Sequence, residues 1–197
     1  MRAITGIILH TTATAPSWMA GQSAKAKVNE IRRWHVQDRG WRDIGYHFVI
    51  DRDGEVAKGR PIEQTGAHVI GYNTGTIGIA LIGGREGKAT DKFRDNYTDE
   101  QERALIKLIA FLHENYGVVP VTGHNQYAAK ECPCFDAPKW WAGVNAKPIN
   151  PTTIATASAG AILGGISDYS GLPPAATVAI AVAGAVALFL ILRKVKR

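Results

Sequence analysis

The chain has 197 residues, enough for one good-sized domain and an appendage. Four of its basic residues lie in the last five positions, so residues 1–192 hold 19 basic against 17 acidic side chains, a net charge of +2. No stripe of Lys and Arg with interleaved aromatics occurs elsewhere, which argues against a nucleic-acid partner. Cys132 and Cys134 are too close in sequence for a disulfide framework, so the domain is expected to fold without oxidation.

Strand and helix patterns alternate in the first half of the chain. Residues 4–10 form a β-branched apolar run that predicts a buried strand, and the run is too short for the apolar core of a signal peptide. Ser23 precedes a helical pattern that runs to about Asp38, with His35 at the edge of its apolar face. The other predicted elements are a strand ending at residue 50, its hairpin partner over 55–59 and an apolar central strand over 76–82.

The second half holds the clearest helix signal. Thr98 opens a capping box, the apolar stripe after it has helical spacing, and Gly117 ends the pattern. A predicted strand over 118–122 and a short helix capped by Asp136 follow. This alternation predicts a single α/β domain over residues 1–144.

The composition changes after that domain. Residues 145–174 are rich in Ala, Gly, Ser, Thr and Pro, which predicts a linker. Residues 175–192 carry no charge and as a helix would extend about 27 Å, close to the ~30 Å hydrocarbon layer of a bilayer. We expect a transmembrane or membrane-associated helix followed by the basic tail 193–197, with a buried C-terminal helix as the alternative. Alanine at every fourth position suggests helix-mediated self-association in the membrane.

Candidate metal chemistry is concentrated in residues 122–136. His124, Lys130 and Cys132 lie within this stretch, and imidazole and thiolate are good zinc ligands. The plain alternative is a loop with a buried thiol. His10 ends the first predicted strand, where α/β sheets place their sites, although a core histidine is equally compatible with that position.

Further candidates lie on the second strand and the loop after it. Tyr46 offers a phenol that can donate a hydrogen bond or a proton, or that packs at the edge of the core. His47 is its neighbour, so on a strand the two side chains point to opposite faces and only one can face a given site. His68 lies on the polar loop 63–73, where it either lines a cleft or is exposed.

Taken together, these motifs resemble the zinc N-acetylmuramoyl-L-alanine amidases, the group that includes bacteriophage lysozyme-like amidases and peptidoglycan recognition proteins. The resemblance runs from about residue 4 to Trp141 and does not cover the linker or the apolar tail. It implies a central mixed β-sheet flanked by helices and one catalytic zinc ion. The matching stretches, in chain order, are residues 8–14, 45–54, 66–68, 71–73, 77–84 and 124–136.

By position, the resemblance implies His10, His124 and Cys132 as zinc ligands, with water as the fourth. Such a set leaves the open coordination position that a catalytic zinc needs. Tyr46 and Lys130 match the catalytic positions of the family. No Glu occupies a matching position, so the identity of the general base stays open.

The function implied by the resemblance is hydrolysis of the amide bond between N-acetylmuramic acid and L-alanine in peptidoglycan, by an endolysin that lyses bacterial cells. Peptidoglycan is the expected partner. His47, His68 and Asn73 are candidates for contacts to substrate, and the two histidines also for contacts around the metal ligands. The alternative is a non-catalytic peptidoglycan-binding module tethered to the membrane, since some family members lack the Cys ligand.

The expected location follows from the function and the tail. We expect synthesis in the host cytoplasm, membrane association through the C-terminal segment and action on the cell wall in the periplasm. Basic residues prefer the cytoplasmic side, so a spanning helix ending in 193–197 would place the amidase outside, which conflicts with the expected lack of a signal peptide. Loose association of the Ala-rich helix with the membrane, with the basic tail held by anionic lipid, is a further possibility, and the topology stays open.

Overall fold

Five strands and four α-helices form residues 2–146, the part of the chain that the computed structural model describes. The strands are β1 (Gly6–Thr11), β2 (Phe48–Ile50), β3 (Val56–Lys58), β4 (Thr76–Leu81) and β5 (Val121–Gly123). The helices are α1 (Ala24–Arg33), α2 (Phe93–Asn96), α3 (Asp99–Tyr116) and α4 (Ala137–Asn145). A π-helical turn (Trp34–Asp38) continues α1, and a 3₁₀ turn (His124–Gln126) follows β5.

The strands form one mixed sheet in the order β3-β2-β4-β1-β5. β1 pairs in parallel with β4 and β5, β2 pairs in parallel with β4, and β3 is antiparallel to β2. His10 lies opposite Ala80 of β4, and Leu9 lies opposite Gly123, the last residue of β5. Because parallel strands end at the same edge of a sheet, the chain after β5 emerges beside His10. The mixed α/β architecture expected from the sequence is confirmed.

Helices cover both faces of the sheet. Ile50 and the strand residues on the same face of the sheet form the larger core. They pack there against one face of α3, which includes Leu105. Val49 packs in the smaller core with Val28 and Ile31 of α1. Since adjacent residues of a strand point to opposite faces, α1 and α3 lie on opposite sides of the sheet. Burial of each such aliphatic side chain contributes about 1.5–3 kcal/mol, so the two cores hold the sheet edge that carries His10 in place.

Local sequence signals account for the starts of the helices. The side chains of Ser23, Thr98 and Asp136 each accept a backbone N–H from the first turn, as expected for N-caps. Gln101 completes the capping box of α3 by accepting the N–H of Thr98 at 3.1 Å. Helix α2, in contrast, lies in residues 83–96, a charged, glycine-containing stretch whose sequence predicts a loop.

Several expectations concern residues that the structure does not describe. The predicted linker beyond residue 146, the apolar segment 175–192, its proposed self-association and the basic tail 193–197 all lie outside the described residues. Among the helices of residues 2–146, none has both the length and the apolar character needed to span a bilayer.

Candidate metal centre and active site

Three side chains that can each donate one ligand atom meet at the carboxyl edge of the sheet. They are His10 of β1, His124 in the 3₁₀ turn after β5, and Cys132. Their donor atoms all lie within 4.8 Å of one another. The parallel pairing of β1 with β5 explains the meeting of His10 and His124, whose rings are 4.9 Å apart at their centroids.

The donor set fits a zinc ion. The distance between His10 Nδ1 and Cys132 Sγ is 3.7 Å. A tetrahedral zinc with bonds of about 2.0 Å to nitrogen and about 2.3 Å to sulfur requires about 3.5 Å between such atoms. Two imidazoles and one thiolate are also ligand types that zinc accepts, and three protein ligands leave a position open for water or substrate.

Backbone hydrogen bonds hold the segment that carries Cys132. The N–H of Thr11, at the end of β1, donates to Cys132 Sγ at 3.2 Å. The N–H of Asn125 donates to the carbonyl oxygen of Cys132 at 2.7 Å, which ties the residue after His124 to the thiol segment. Cys134 points elsewhere, since its thiol donates to the carbonyl oxygen of Gly84 at 3.4 Å.

Burial sets the protonation of the three donors. Desolvation, followed by the charges of neighbouring groups, holds the pKa of His10 well below its ordinary value, and it also lowers the pKa of His124. Both imidazoles are therefore neutral at neutral pH, as ligands must be. Desolvation raises the pKa of Cys132 to about 12, so the thiol is protonated in the metal-free protein. Binding of an ion must displace that proton.

Tyr46 and Lys130 flank the donor set. The ring of Tyr46 lies 5.2 Å from the ring of His10, and burial raises the pKa of its phenol, which keeps the hydroxyl protonated. Lys130 is exposed in the loop before Cys132, and its positive charge lowers the pKa of His10, His124 and Cys132. The site thus combines a neutral proton donor on one side with a cation at its rim.

His47 occupies a different environment from Tyr46, its neighbour in sequence. Its Nδ1 accepts the N–H of Gly78 at 3.0 Å, so its Nε2 carries the proton and donates to the carbonyl oxygen of Gln64 at 3.1 Å. The side chain is 1% exposed. In the structure His47 therefore links β4 to the loop after β3, and its Nε2 also lies 3.1 Å from Nη2 of Arg2.

His68 and Asn73 act together in the loop before β4. His68 is 7% exposed, which excludes the exposed alternative, and its Nδ1 lies 3.1 Å from Nε2 of His10. Asn73 Oδ1 accepts the backbone N–H groups of His68 and Val69, both at 2.8 Å. The structure thus places His68 directly behind a candidate ligand, with Asn73 holding the turn that carries it.

A cavity of about 600 Å³ opens next to Tyr46. It is lined by Thr12 and Tyr46 and by residues at the end of α1 and in the π-helical turn, namely Ile31, Trp34, His35, Asp38 and Arg39. Sequence reasoning placed His35 at the boundary of a helix and missed the cavity. The available signal was the run Trp34–Asp38 at the end of the helical pattern, where aromatic and polar side chains occur together.

Comparisons with known proteins agree with this geometry. The family model for N-acetylmuramoyl-L-alanine amidase matches residues 1–135. The endolysin of Escherichia phage T7 is 42% identical over 135 residues, which cover 68% of this chain and 83% of that protein. The solved structure of the amidase LysC from Clostridium intestinale is 28% identical, with a TM-score of 0.58, and the match covers 74% of this chain and 86% of that one. Bumblebee PGRP-SA is 30% identical with a TM-score of 0.58, and the match covers 71% and 81%.

The family match spans every strand of the sheet as well as the segment from His124 to Cys132. The resemblance inferred from sequence motifs is therefore confirmed as far as residue 135. On this evidence the chain belongs to the N-acetylmuramoyl-L-alanine amidase family.

Proposed function

We propose that the protein is an endolysin that uses a zinc ion to cleave the amide bond between N-acetylmuramic acid and the L-alanine of the stem peptide. Family membership and 42% identity to a phage endolysin support amidase activity on peptidoglycan. The observation that carries the zinc dependence is the convergence of His10, His124 and Cys132 to within 4.8 Å. We assign these three residues as the metal ligands.

The chemistry required is attack of water on an unactivated amide. A bound zinc ion would supply a water of lowered pKa, near 7, and would polarise the scissile carbonyl. The protein must then stabilise the negative charge that develops on the carbonyl oxygen and protonate the leaving amine. Both tasks need donors beside the ligands.

Tyr46 and Lys130 have the properties for these tasks. The phenol of Tyr46 stays protonated because burial raises its pKa. Its hydroxyl is therefore ready to donate a hydrogen bond or a proton. Lys130 brings a positive charge close enough to lower the pKa of all three ligands, and the same charge would favour an oxyanion.

The cavity beside Tyr46 suits part of the substrate. Its lining combines an indole, a carboxylate and a guanidinium from Trp34, Asp38 and Arg39. Sugars pack on aromatic faces, and charged groups of a peptide pair with carboxylates and guanidinium groups. We assign this cavity to the wall fragment that extends from the scissile bond.

The complete donor set favours catalysis over recognition alone. A module that only binds peptidoglycan has no need for two neutral imidazoles and a thiol whose donor atoms are close enough to share a zinc ion. Zinc content and product release together separate the two functions, because a recognition module would bind wall fragments and leave them intact.

Digestion of purified sacculi tests the proposed function. The zinc-loaded protein is expected to release stem peptides with a free L-alanine amino group, leaving glycan strands whose lactyl groups end in newly formed carboxylates. Mass analysis of soluble products identifies the bond that is cut. New reducing ends from cleavage between sugars, or fragments cut within the stem peptide, would contradict the proposal.

Membrane association through residues 173–197 remains a prediction that follows from the apolar segment and its basic end. Deleting these residues should move the protein out of the membrane fraction of cells at lysis. An unchanged membrane pool would refute a role for the tail.

A further inference from the structure

We infer that His68 is a positioning residue for the metal centre, which sets the tautomer and the ring orientation of His10. The inference rests on the proposed zinc site, with His10 as one of its ligands. It assigns a role to a buried loop histidine that does not itself belong to the donor cluster.

The two nitrogens of His10 face different neighbours. Nδ1 lies 3.7 Å from Cys132 Sγ and so points to the metal position. Nε2 points the other way and lies 3.1 Å from Nδ1 of His68. A ligating nitrogen must be unprotonated, so the ring proton of His10 resides on Nε2 and is donated to His68.

This assignment determines the direction of the next hydrogen bonds. With its Nδ1 accepting, His68 carries its own proton on Nε2, which lies 3.4 Å from the hydroxyl oxygen of Thr76. The hydroxyl of Thr76 in turn donates to the carbonyl oxygen of Tyr72 at 2.6 Å. Each group in this chain donates outward from His10, and it ends on a backbone acceptor that cannot reverse the order. The chain therefore favours the one tautomer of His10 that can bind a metal through Nδ1.

Two glycines leave the space that the ring of His68 occupies. A Cβ atom on Gly78 of β4 would lie 2.6 Å from two ring atoms of His68, and a Cβ on Gly66 would lie 2.6 Å from one. Backbone atoms of two separate segments thus border the ring, and neither position has room for a side chain. Asn73 holds the loop from the other side through the N–H of His68. The narrow space between these glycines leaves the His68 ring little freedom to rotate, as expected for a residue that must orient another side chain.

A packing role is the competing explanation, and it predicts different behaviour. If His68 only fills space, a ring of similar size should preserve the site. If His68 orients His10, the acceptor at the Nδ1 position matters and the ring does not. Loss of such a partner behind a metal-bound histidine typically weakens metal affinity 10–100-fold.

Two substitutions of His68 separate these explanations. His68→Phe keeps a ring and removes the acceptor, whereas His68→Asn removes the ring and keeps an oxygen near the position of Nδ1. We expect zinc affinity to fall about 10–100-fold in His68→Phe and to stay closer to wild type in His68→Asn. Gly78→Ala, which would displace the ring, should resemble His68→Phe. Affinity is measured by competition with a chromophoric chelator, so the result does not depend on activity.

Controls cover folding and histidine loss in general. His113 on α3 donates from Nε2 to the carbonyl oxygen of Val119 at 3.0 Å and is outside the donor cluster, so His113→Phe should bind zinc like wild type. Thermal unfolding of each metal-free variant reports whether it folds, and ¹⁵N chemical shifts of the His10 ring report its tautomer. If His68→Phe fails to fold, the comparison of His68→Asn and Gly78→Ala with wild type still decides.

Wild-type zinc affinity in folded His68→Phe, or a larger loss in His68→Asn than in His68→Phe, would overturn the inference and leave the proposed function intact. A wild-type protein that takes up no zinc would overturn both. The variant affinities test only the role of His68, whereas the absence of zinc uptake by the wild type would contradict the proposed metal centre.

Discussion

Cys132→Ser is expected to abolish stoichiometric zinc binding and to lower amidase activity by more than about 10³-fold, beyond the ~10²–10³ that loss of a single oxyanion donor costs. The serine hydroxyl is a far poorer zinc ligand than a thiolate, so the variant keeps only the two imidazoles as effective ligands. Zinc per chain, measured by mass spectrometry of the metal, and peptide release from sacculi are the two readouts. Removal of zinc from the wild type by a chelator should give the same loss, and adding zinc back should restore activity.

Cys134 provides a matched control for this change. Its thiol bonds to the carbonyl oxygen of Gly84 and lies outside the donor cluster, so Cys134→Ser should keep one zinc per chain. Calorimetric titration in buffers of different ionisation enthalpy adds a second readout. Since burial keeps the Cys132 thiol protonated without metal, wild-type uptake at neutral pH should release about one proton that the Ser variant does not release. Full activity of the zinc-free protein would contradict the proposed metal dependence.

The parts of the fold that sequence predicted well are those that depend on neighbours in the chain. Thr98 and Gln101 predict the start of α3, because the residues of a capping box lie within one helical turn. Helix α2 was missed because its four residues carry almost no periodicity. Its Phe93 is 4% exposed and packs against Phe135 and Trp140, with ring centroids 5.0 and 5.3 Å away. Those partners lie some forty residues further along the chain.

The same distinction applies to the site. The matching motifs were enough to nominate His10, His124 and Cys132, because each ends a strand or follows one in a recognisable pattern. They could not say that Asn73 bonds to backbone N–H groups, or that His68 faces Nε2 of His10, since both facts depend on the path of a loop over β4. Gly66 and Gly78 can be read from the sequence. Only the structure shows that their lack of side chains makes room for the ring of His68.

Tyr46→Phe and Lys130→Ala should each retain zinc and lose about 10²–10³-fold in turnover. Tyr46→Phe removes only a hydroxyl, so the ring contact with His10 and the packing against α1 survive. Lys130 is exposed, and its truncation removes a charge without opening the core. Because both groups are proposed to act on the developing oxyanion or the leaving amine, kcat should fall more than KM rises.

Matched substitutions elsewhere separate these roles from general effects of losing a hydroxyl or a charge. Tyr116→Phe on α3 and Lys139→Ala on α4 change the same chemical groups outside the donor cluster, and both should turn over like wild type. Zinc content must be equal across all four variants, because a lost ion would mimic a lost donor. Wild-type kcat in zinc-loaded Tyr46→Phe would remove the phenol from the mechanism, and the same result in Lys130→Ala would remove the ammonium. If both kept wild-type rates, bond cleavage would rest on the metal centre and its water, and the charge at the rim would serve substrate binding alone.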